Sequence, residues 1–171
     1  IFPGPMMDRS KEFPNLCATP YVMHEENNFK MWFASGEPWI WIDGKPAVAC
    51  HIGYAESEDG LEWRREKVPA VGHVEKDHVV STPCVLKENG VYKMWYSYRG
   101  GKYRIGYAES TDGKSFTRMD DRVGIGVSEN GWDSDMLCYP CVFDLWGMRY
   151  LLYYGNEYGK TGLGLAVLVE G

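Results

Sequence analysis

The stretch Gly53–Trp63 reads GYAESEDGLEW, and 53 residues further on Gly106–Phe116 reads GYAESTDGKSF. In both, bulky or charged residues alternate with Gly, Ala and Ser, the period of two that marks a β-strand. An Asp-Gly pair follows in each, at 59–60 and 112–113. Its tolerance of positive φ predicts a tight hairpin. The small residues share one face, which is expected to let another sheet approach closely. A strand and turn written twice imply a repeated unit.

Three markers give the period of that unit. TPYV, TPCV and YPCV place prolines at 20, 83 and 140, which are 63 and 57 residues apart. An aromatic follows 12 or 13 residues after each proline, at Trp32, Trp95 and Tyr153. A glycine then follows at Gly53, Gly106 and Gly164. The order predicts strands near 19–24, 29–34, 51–57 and 61–66, then 80–87, 91–98, 103–110 and 115–119, then 138–144, 149–154 and 162–169. EENN (25–28) and ENG (88–90) read as turns. No segment has a helical period. The fold class is therefore all-β: three consecutive four-stranded antiparallel meanders, the units of a β-propeller. The chain reads as one partial domain, with blade units at about 12–72, 73–128 and 129–171 and residues 1–11 as the tail of a preceding blade. SEDGLEW also resembles the Asp-box turns of sialidase-type propellers.

Composition narrows the partners. The 171 residues are 44% apolar and 15% aromatic, enough for a packed core, and carry a net charge of −6 with no Lys/Arg block. That speaks against a nucleic acid. No apolar run approaches the ~20 residues of a membrane helix. No signal peptide is visible, so a cytoplasmic location is expected, although a chain beginning at Ile1 leaves room for a lost N-terminus. Cys17, Cys50, Cys84, Cys138 and Cys141 are odd in number and lack zinc-finger spacing; buried reduced thiols are expected. No metal cluster and no cofactor motif is visible.

An up-and-down meander sorts its loops onto two rims. The short turns share one. The other holds the long loops with Glu37, Trp39, Trp41, Asp43, His51, Asp77, His78, Ser81, Arg99, Tyr103, Arg104, Trp132, Asp133, Asp135, Asn156, Glu157 and Tyr158. Aromatic rings cover the apolar faces of a sugar, and charged groups bond its hydroxyls, so carbohydrate is the expected partner. That rim is expected to form the principal concave site.

The runs KMWYSYRGGKYRIGYAESTDG (93–113) and WDSDMLCYPCVFDLWGMRYLLYYGNEYGKTGLGLA (132–166) resemble the C-terminal half of bacterial proteins related to the arabinanase, levansucrase and invertase superfamily, five-bladed propeller glycoside hydrolases. The resemblance covers nearly the whole chain and implies its last three blades. It implies an acid, a base or nucleophile and a third carboxylate at the channel ends of the innermost strands, two of them about 5–9.5 Å apart. By that correspondence they belong just before the marker prolines. Ala18-Thr19, Ser81-Thr82 and Cys138-Tyr139 stand there, and none is acidic. The acids left as catalytic candidates are Asp135, Asp133 and Glu157. Arg99, His78, His51, Trp39, Trp41, Tyr103, Arg104, Trp132 and Tyr158 are the substrate-binding candidates. Glu56 and Glu109 recur with the blade motif and read as structural.

The expected function is thus a glycoside-hydrolase-like propeller portion that acts on or binds a glycan with incomplete catalytic machinery. The alternatives are a non-catalytic glycan-binding module and a scaffold for protein partners. A homodimer is expected through two bare blade faces, Val22, Phe29, Met31 and Phe33 in the first unit and Val142, Leu151, Tyr153 and Leu163 in the third. Trp39–Ile42 forms a further arm. A rival places residues 1–7 on the third unit as its missing outer strand.

Overall fold

The computed structural model describes residues 3–74 and 77–169. The outermost residues of the expected tail and third unit, 1–2 and 170–171, lie outside the described residues. The first blade comprises β1 (Cys17–Glu25), β2 (Asn28–Gly36), β5 (Cys50–Ser57) and β6 (Arg64–Arg65), with a small hairpin, β3 (Ile40–Ile42) and β4 (Lys45–Ala47), in its long loop. The second comprises β7 (Val79–Glu88), β8 (Val91–Arg99), β9 (Tyr103–Ser110) and β10 (Thr117–Arg118). The third has β11 (Cys138–Leu145), β12 (Met148–Tyr154) and β13 (Leu163–Val167). All pairings within a blade are antiparallel, and a single parallel pair, Cys50 with Val79, joins the first blade to the second. The chain is an all-β partial propeller of three blades. The outer strands β6 and β10 are only two residues long, much shorter than expected.

The repeated stretch does not make a two-residue hairpin. Six residues separate β5 from β6, and only Gly60, not Asp59, has positive φ. The turn is held instead by the aspartate as an acceptor. Asp59 Oδ1 takes hydrogen bonds from the Leu61 and Glu62 amides at 2.8 and 2.9 Å and from the Ser57 hydroxyl at 3.0 Å. Asp112 Oδ1 repeats this with the Lys114 and Ser115 amides and the Ser110 hydroxyl at 2.7, 2.9 and 2.8 Å. Backbone hydrogen bonds lead in holding both carboxyls below the usual aspartate range. Two-residue hairpins occur elsewhere: in Asp43-Gly44, Asn89-Gly90 and Trp146-Gly147 both residues have positive φ, as a mirror-image turn requires.

The marker glycines serve their own sheet, not a neighbouring one. Gly53, Gly106 and Gly164 each pair across the ladder with an aromatic, Phe33, Tyr96 and Tyr153. That ring lies over the glycine: a Cβ added at Gly53 would sit 2.9 Å from Phe33, and one at Gly106 or Gly164 2.5 Å from Tyr96 or Tyr153.

Two apolar layers join the blades. Trp32, Ile52 and Tyr54 pack on Val85, Tyr92, Met94 and Tyr96, and the Trp32 indole donates to the Gly113 carbonyl at 2.8 Å. Cys84, Trp95 and Tyr107 pack on Leu137, Val142, Leu151 and Tyr153. Alternation along a strand sends Val142, Leu151 and Tyr153 toward the second blade, so they are not bare. Leu163 and Leu165, 61% and 58% exposed, lie on the opposite face. The first blade's outward face is covered too. Met31 and Phe33 are 2% and 1% exposed, packed against Met7, Cys17 and Trp63. The head of the chain therefore lies on the first blade, not on the third. Val22 alone of the expected first-blade set is well exposed. All five cysteines are free, but Cys141 is exposed and Cys17 half-buried. Among the described residues no helix is long and apolar enough to cross a membrane.

Candidate functional site

Each innermost strand carries the same irregularity. The ladder slips between Ala18 and Tyr21 in β1, Ser81 and Cys84 in β7, and Cys138 and Cys141 in β11. The residue before each marker proline, Thr19, Thr82 or Tyr139, has φ of 49°, 53° or 57°. Left-handed backbone is rare for a β-branched or bulky residue and costs about 1–3 kcal/mol. Bulges of this kind re-aim side chains beside functional sites. Here they are stitched together: the Thr82 amide donates to the Thr19 hydroxyl at 3.3 Å, and the Tyr139 amide to the Ser97 hydroxyl at 2.7 Å. The three positions that the superfamily resemblance assigns to carboxylates thus share one strained geometry and present hydroxyls.

Around the third bulge the long-loop rim gathers rings and a cation. Tyr139 lies 5.9 Å from Tyr103, 5.4 Å from Tyr154 and 6.5 Å from Tyr158, between ring centres. Tyr103 meets Tyr158 edge-on at 5.9 Å, and the Arg99 guanidinium lies 5.0 Å over the Tyr103 ring. Burial pushes the Tyr103 hydroxyl up to about 12. His78 sits between strands: its amide donates to the Arg99 carbonyl and its carbonyl accepts from the Cys50 amide, both at 3.0 Å. Burial, then the Arg99 charge, push His78 below the usual histidine range.

A second cluster lies on the same rim where the first and second blades meet. Glu37 Oε1 is 2.9 Å from His51 Nδ1 and 2.8 Å from His73 Nε2. Burial pushes the Glu37 carboxyl up, but the hydrogen bonds from His51 and His73 outweigh it and hold it below its ordinary range. His73 Nδ1 lies 3.5 Å from Asp77, and Asp77 and Asp120 flank the Arg118 guanidinium at 2.8 and 2.6 Å. Asp120 also accepts from the Tyr96 hydroxyl and the Tyr107 amide. His73, Arg118 and Asp120 were not among the candidates. No periodicity points to them, because they become neighbours only when blade loops meet.

The remaining candidates scatter. Asp135 is half-exposed and paired with Lys102 at 2.6 Å; its amide donates to Asn156 Oδ1. Arg104 donates to the Tyr103 and Asp135 carbonyls at 2.8 and 2.9 Å. Asp133 is buried and accepts the Tyr153 hydroxyl at 2.9 Å, which is a packing role. Glu157 is exposed and paired with Lys160, in a turn at Asn156–Gly159 where Glu157 and Tyr158 are left-handed. Trp132 stacks on Tyr153 at 5.5 Å. Trp39, just before β3, and Trp41, within it, stand exposed. Glu56 and Glu109 accept the Tyr54 and Tyr107 hydroxyls at 2.8 and 2.6 Å, the structural role expected.

Two concavities lie away from the tyrosine cluster of the long-loop rim. A depression of about 1080 Å³ lies on the short-turn rim, lined by Glu25, Glu56, Asp59, Glu62 and Trp63 among others. A groove of about 560 Å³ runs between the second and third blades past Trp95, Ile125, Leu151 and Val167. Neither includes the tyrosines or Arg99. These three blades wall the propeller axis on only part of its circumference. Among the described residues no group of three His, Cys, Asp or Glu is placed to hold a metal ion.

The chain is 39% identical over 165 residues to an uncharacterised protein of Mycobacterium tuberculosis strain CDC 1551, covering 96% of this chain and 54% of that one. A counterpart in strain H37Rv is 38% identical over the same length. The chain therefore spans about half the length of the relatives it matches. No family model matches it. Its fold superposes on a family 117 glycoside hydrolase of Zobellia galactanivorans with TM-score 0.74 and 21% identity, over 95% of this chain and 55% of that one. It superposes on the sucrose-6-phosphate hydrolase of Lactobacillus gasseri with TM-score 0.72 and 14% identity, over 94% and 32%. For the Bombyx mori family 32 β-fructofuranosidase the values are 0.68, 17%, 88% and 33%. These identities make the likeness one of architecture: the fold is that seen in the β-propeller glycoside hydrolases.

Proposed function

We propose that this chain is the carbohydrate-holding part of a glycoside-hydrolase-type propeller, binding a glycan on its long-loop rim without itself supplying a hydrolytic carboxylate pair. The observation that carries this reading is the third bulge, where Tyr103, Tyr139 and Tyr158 crowd together beside Arg99. Rings at that spacing offer apolar faces to a sugar and leave their hydroxyls for its edges. Hydrolysis needs one protonated and one ionised carboxyl at a defined separation. Thr19, Thr82 and Tyr139 occupy the positions implied for them. Asp135 is tied to Lys102, and Asp133 is buried under Tyr153. Five unpaired cysteines fit a reducing compartment such as the cytoplasm. Self-association through the outward face of the third blade belongs to the same reading.

A panel of furanose- and pyranose-containing oligosaccharides titrated against intrinsic fluorescence tests it. At least one is expected to bind, and Tyr103→Ala with Tyr158→Ala is expected to weaken binding by about tenfold or more, in line with lost ring stacking. No reducing ends are expected to appear. Silence across the panel refutes glycan binding. Turnover that Asp135→Asn abolishes refutes the incomplete machinery. A protein scaffold is the second reading, favoured by the hairpin that exposes Trp39 and Trp41 by 57% and 72%.

A further inference from the structure

Arg99 is the last residue of β8, its carbonyl held by the His78 amide and its guanidinium laid over Tyr103. The Nε atom is buried and has no hydrogen-bond partner. Among the described residues Arg99 makes no ion pair. Arg104 makes none either; its guanidinium bonds only the Tyr103 and Asp135 carbonyls. Lys102 takes the Asp135 carboxylate. Of these three cations only Lys102 is ion-paired among the described residues, in a chain whose net charge is −6.

The other neighbours do not pair with Arg99: Glu37 faces His51 and His73, and Asp77 faces His73 and Arg118. Burial pushes Cys50 up to about 11 and Tyr103 up to about 12, and it raises Tyr139 as well. All three are neutral near pH 7, and His78, held below its ordinary value, is uncharged there too. A half-buried guanidinium without an anion is costly, and buried charges are ordinarily paired. A guanidinium also presents a planar fork of donors that fits a carboxylate or phosphate through two parallel bonds.

Resting on the glycan reading above, we propose that Arg99 anchors an anion and that the glycan taken by this surface is acidic, with a ring carboxylate or a phosphate on the guanidinium and its sugar ring against Tyr103, Tyr139 and Tyr158. A neutral sugar would satisfy the rings and leave the cations uncompensated.

Isothermal titration of the 171-residue chain tests this with matched probes: trigalacturonate against galactotriose, and glucose 6-phosphate against glucose. At least one acidic probe is expected to bind about tenfold tighter than its neutral match in about 20 mM salt, and by less in about 500 mM salt, because ion pairing is screened. Preference in the trigalacturonate arm assigns a ring carboxylate, and preference in the phosphate arm a phosphate. In Arg99→Met the preference for the acidic over the neutral probe should fall to about twofold or less. Near-UV circular dichroism checks that the variant is folded. Should it not fold, Arg99→Lys, which keeps the charge without the fork, is expected to lose at least about threefold of the preference. Equal binding of acidic and neutral probes, or a preference unchanged in the variants, overturns the acidic assignment and leaves glycan binding standing. If no sugar binds, both readings fall.

Discussion

His51 has only 2% of its surface in solvent and faces Glu37 through Nδ1, with the Phe13 ring edge-on 4.6 Å away. Burial lowers its pKa first; Glu37 opposes that, and the His73 and Arg65 charges reinforce it, leaving the folded value below the ordinary one. An unfolded histidine takes up its proton near pH 6.5. As pH falls past that point the unfolded chain gains a proton that folded His51 refuses, so stability is full above about pH 6.5 and drops below it. Glu37, also lowered in the folded state, acts in the same direction but only below about pH 4.5, where the unfolded carboxyl begins to protonate. The urea midpoint is therefore expected to be lower at pH 5.5 than at pH 7.5. In His51→Gln the midpoint is lower throughout, but the gap between the two pH values narrows. A gap of equal size in both proteins would show that another group is responsible.

At the scale of the strand, the marker glycine under its cross-strand ring is the device that recurs in all three blades. The local surroundings differ, and that orders the cost of filling it. A Cβ at Gly106 would meet the Tyr96 ring at 2.5 Å and Asp120 Oδ1 at 2.6 Å, with that carboxylate pinned by Arg118 and the Tyr107 amide. At Gly53 it would meet only the far edge of Phe33, at 2.9 Å. Gly106→Ala should cost about 2–3 kcal/mol in urea unfolding and Gly53→Ala about 1 kcal/mol, the range of overpacked cores. Equal losses would mean that the carboxylate is not the rigid wall described. The proline, aromatic and glycine markers were legible because a blade repeats its backbone, and repetition survives single-chain reading. What each marker does was not legible. Nothing local tells that the ring over Gly53 belongs to Phe33 of the same sheet. Nor does any pattern show that Thr19, Thr82 and Tyr139 are left-handed, since threonine and tyrosine disfavour that region. Of the site, Arg99, Tyr103 and Tyr158 could be listed from their loops. Tyr139 was noted only for not being acidic, and His73, Arg118 and Asp120 join through contacts between blades.

At the scale of the whole molecule, the two ends of the blade series differ. Met7 and Trp63 cover Met31 and Phe33 on the first blade. On the third, Leu163, Leu165 and Val167 face outward from β13, Cys141 is exposed beside them, and among the described residues β13 pairs only with β12. In a propeller the next blade packs on such a face. Here it is an apolar patch of roughly several hundred Å² bordered by an unpaired strand edge, a pairing that soluble proteins seldom leave uncovered. Under the self-association proposed above, a second copy would cover it by a two-fold contact that sets the same face against itself. Burying both at about 25 cal/mol per Å² is worth on the order of ten kcal/mol before association costs. Sedimentation equilibrium in the micromolar range is expected to give a mass above the 19.5 kDa of one chain. Leu165→Lys puts a charge in the middle of the patch and should return the mass to 19.5 kDa. Trp41→Lys, on the hairpin, should not, because that arm lies outside the third-blade face. The reverse pattern would move the contact to the hairpin, and a wild-type mass of 19.5 kDa would refute self-association altogether.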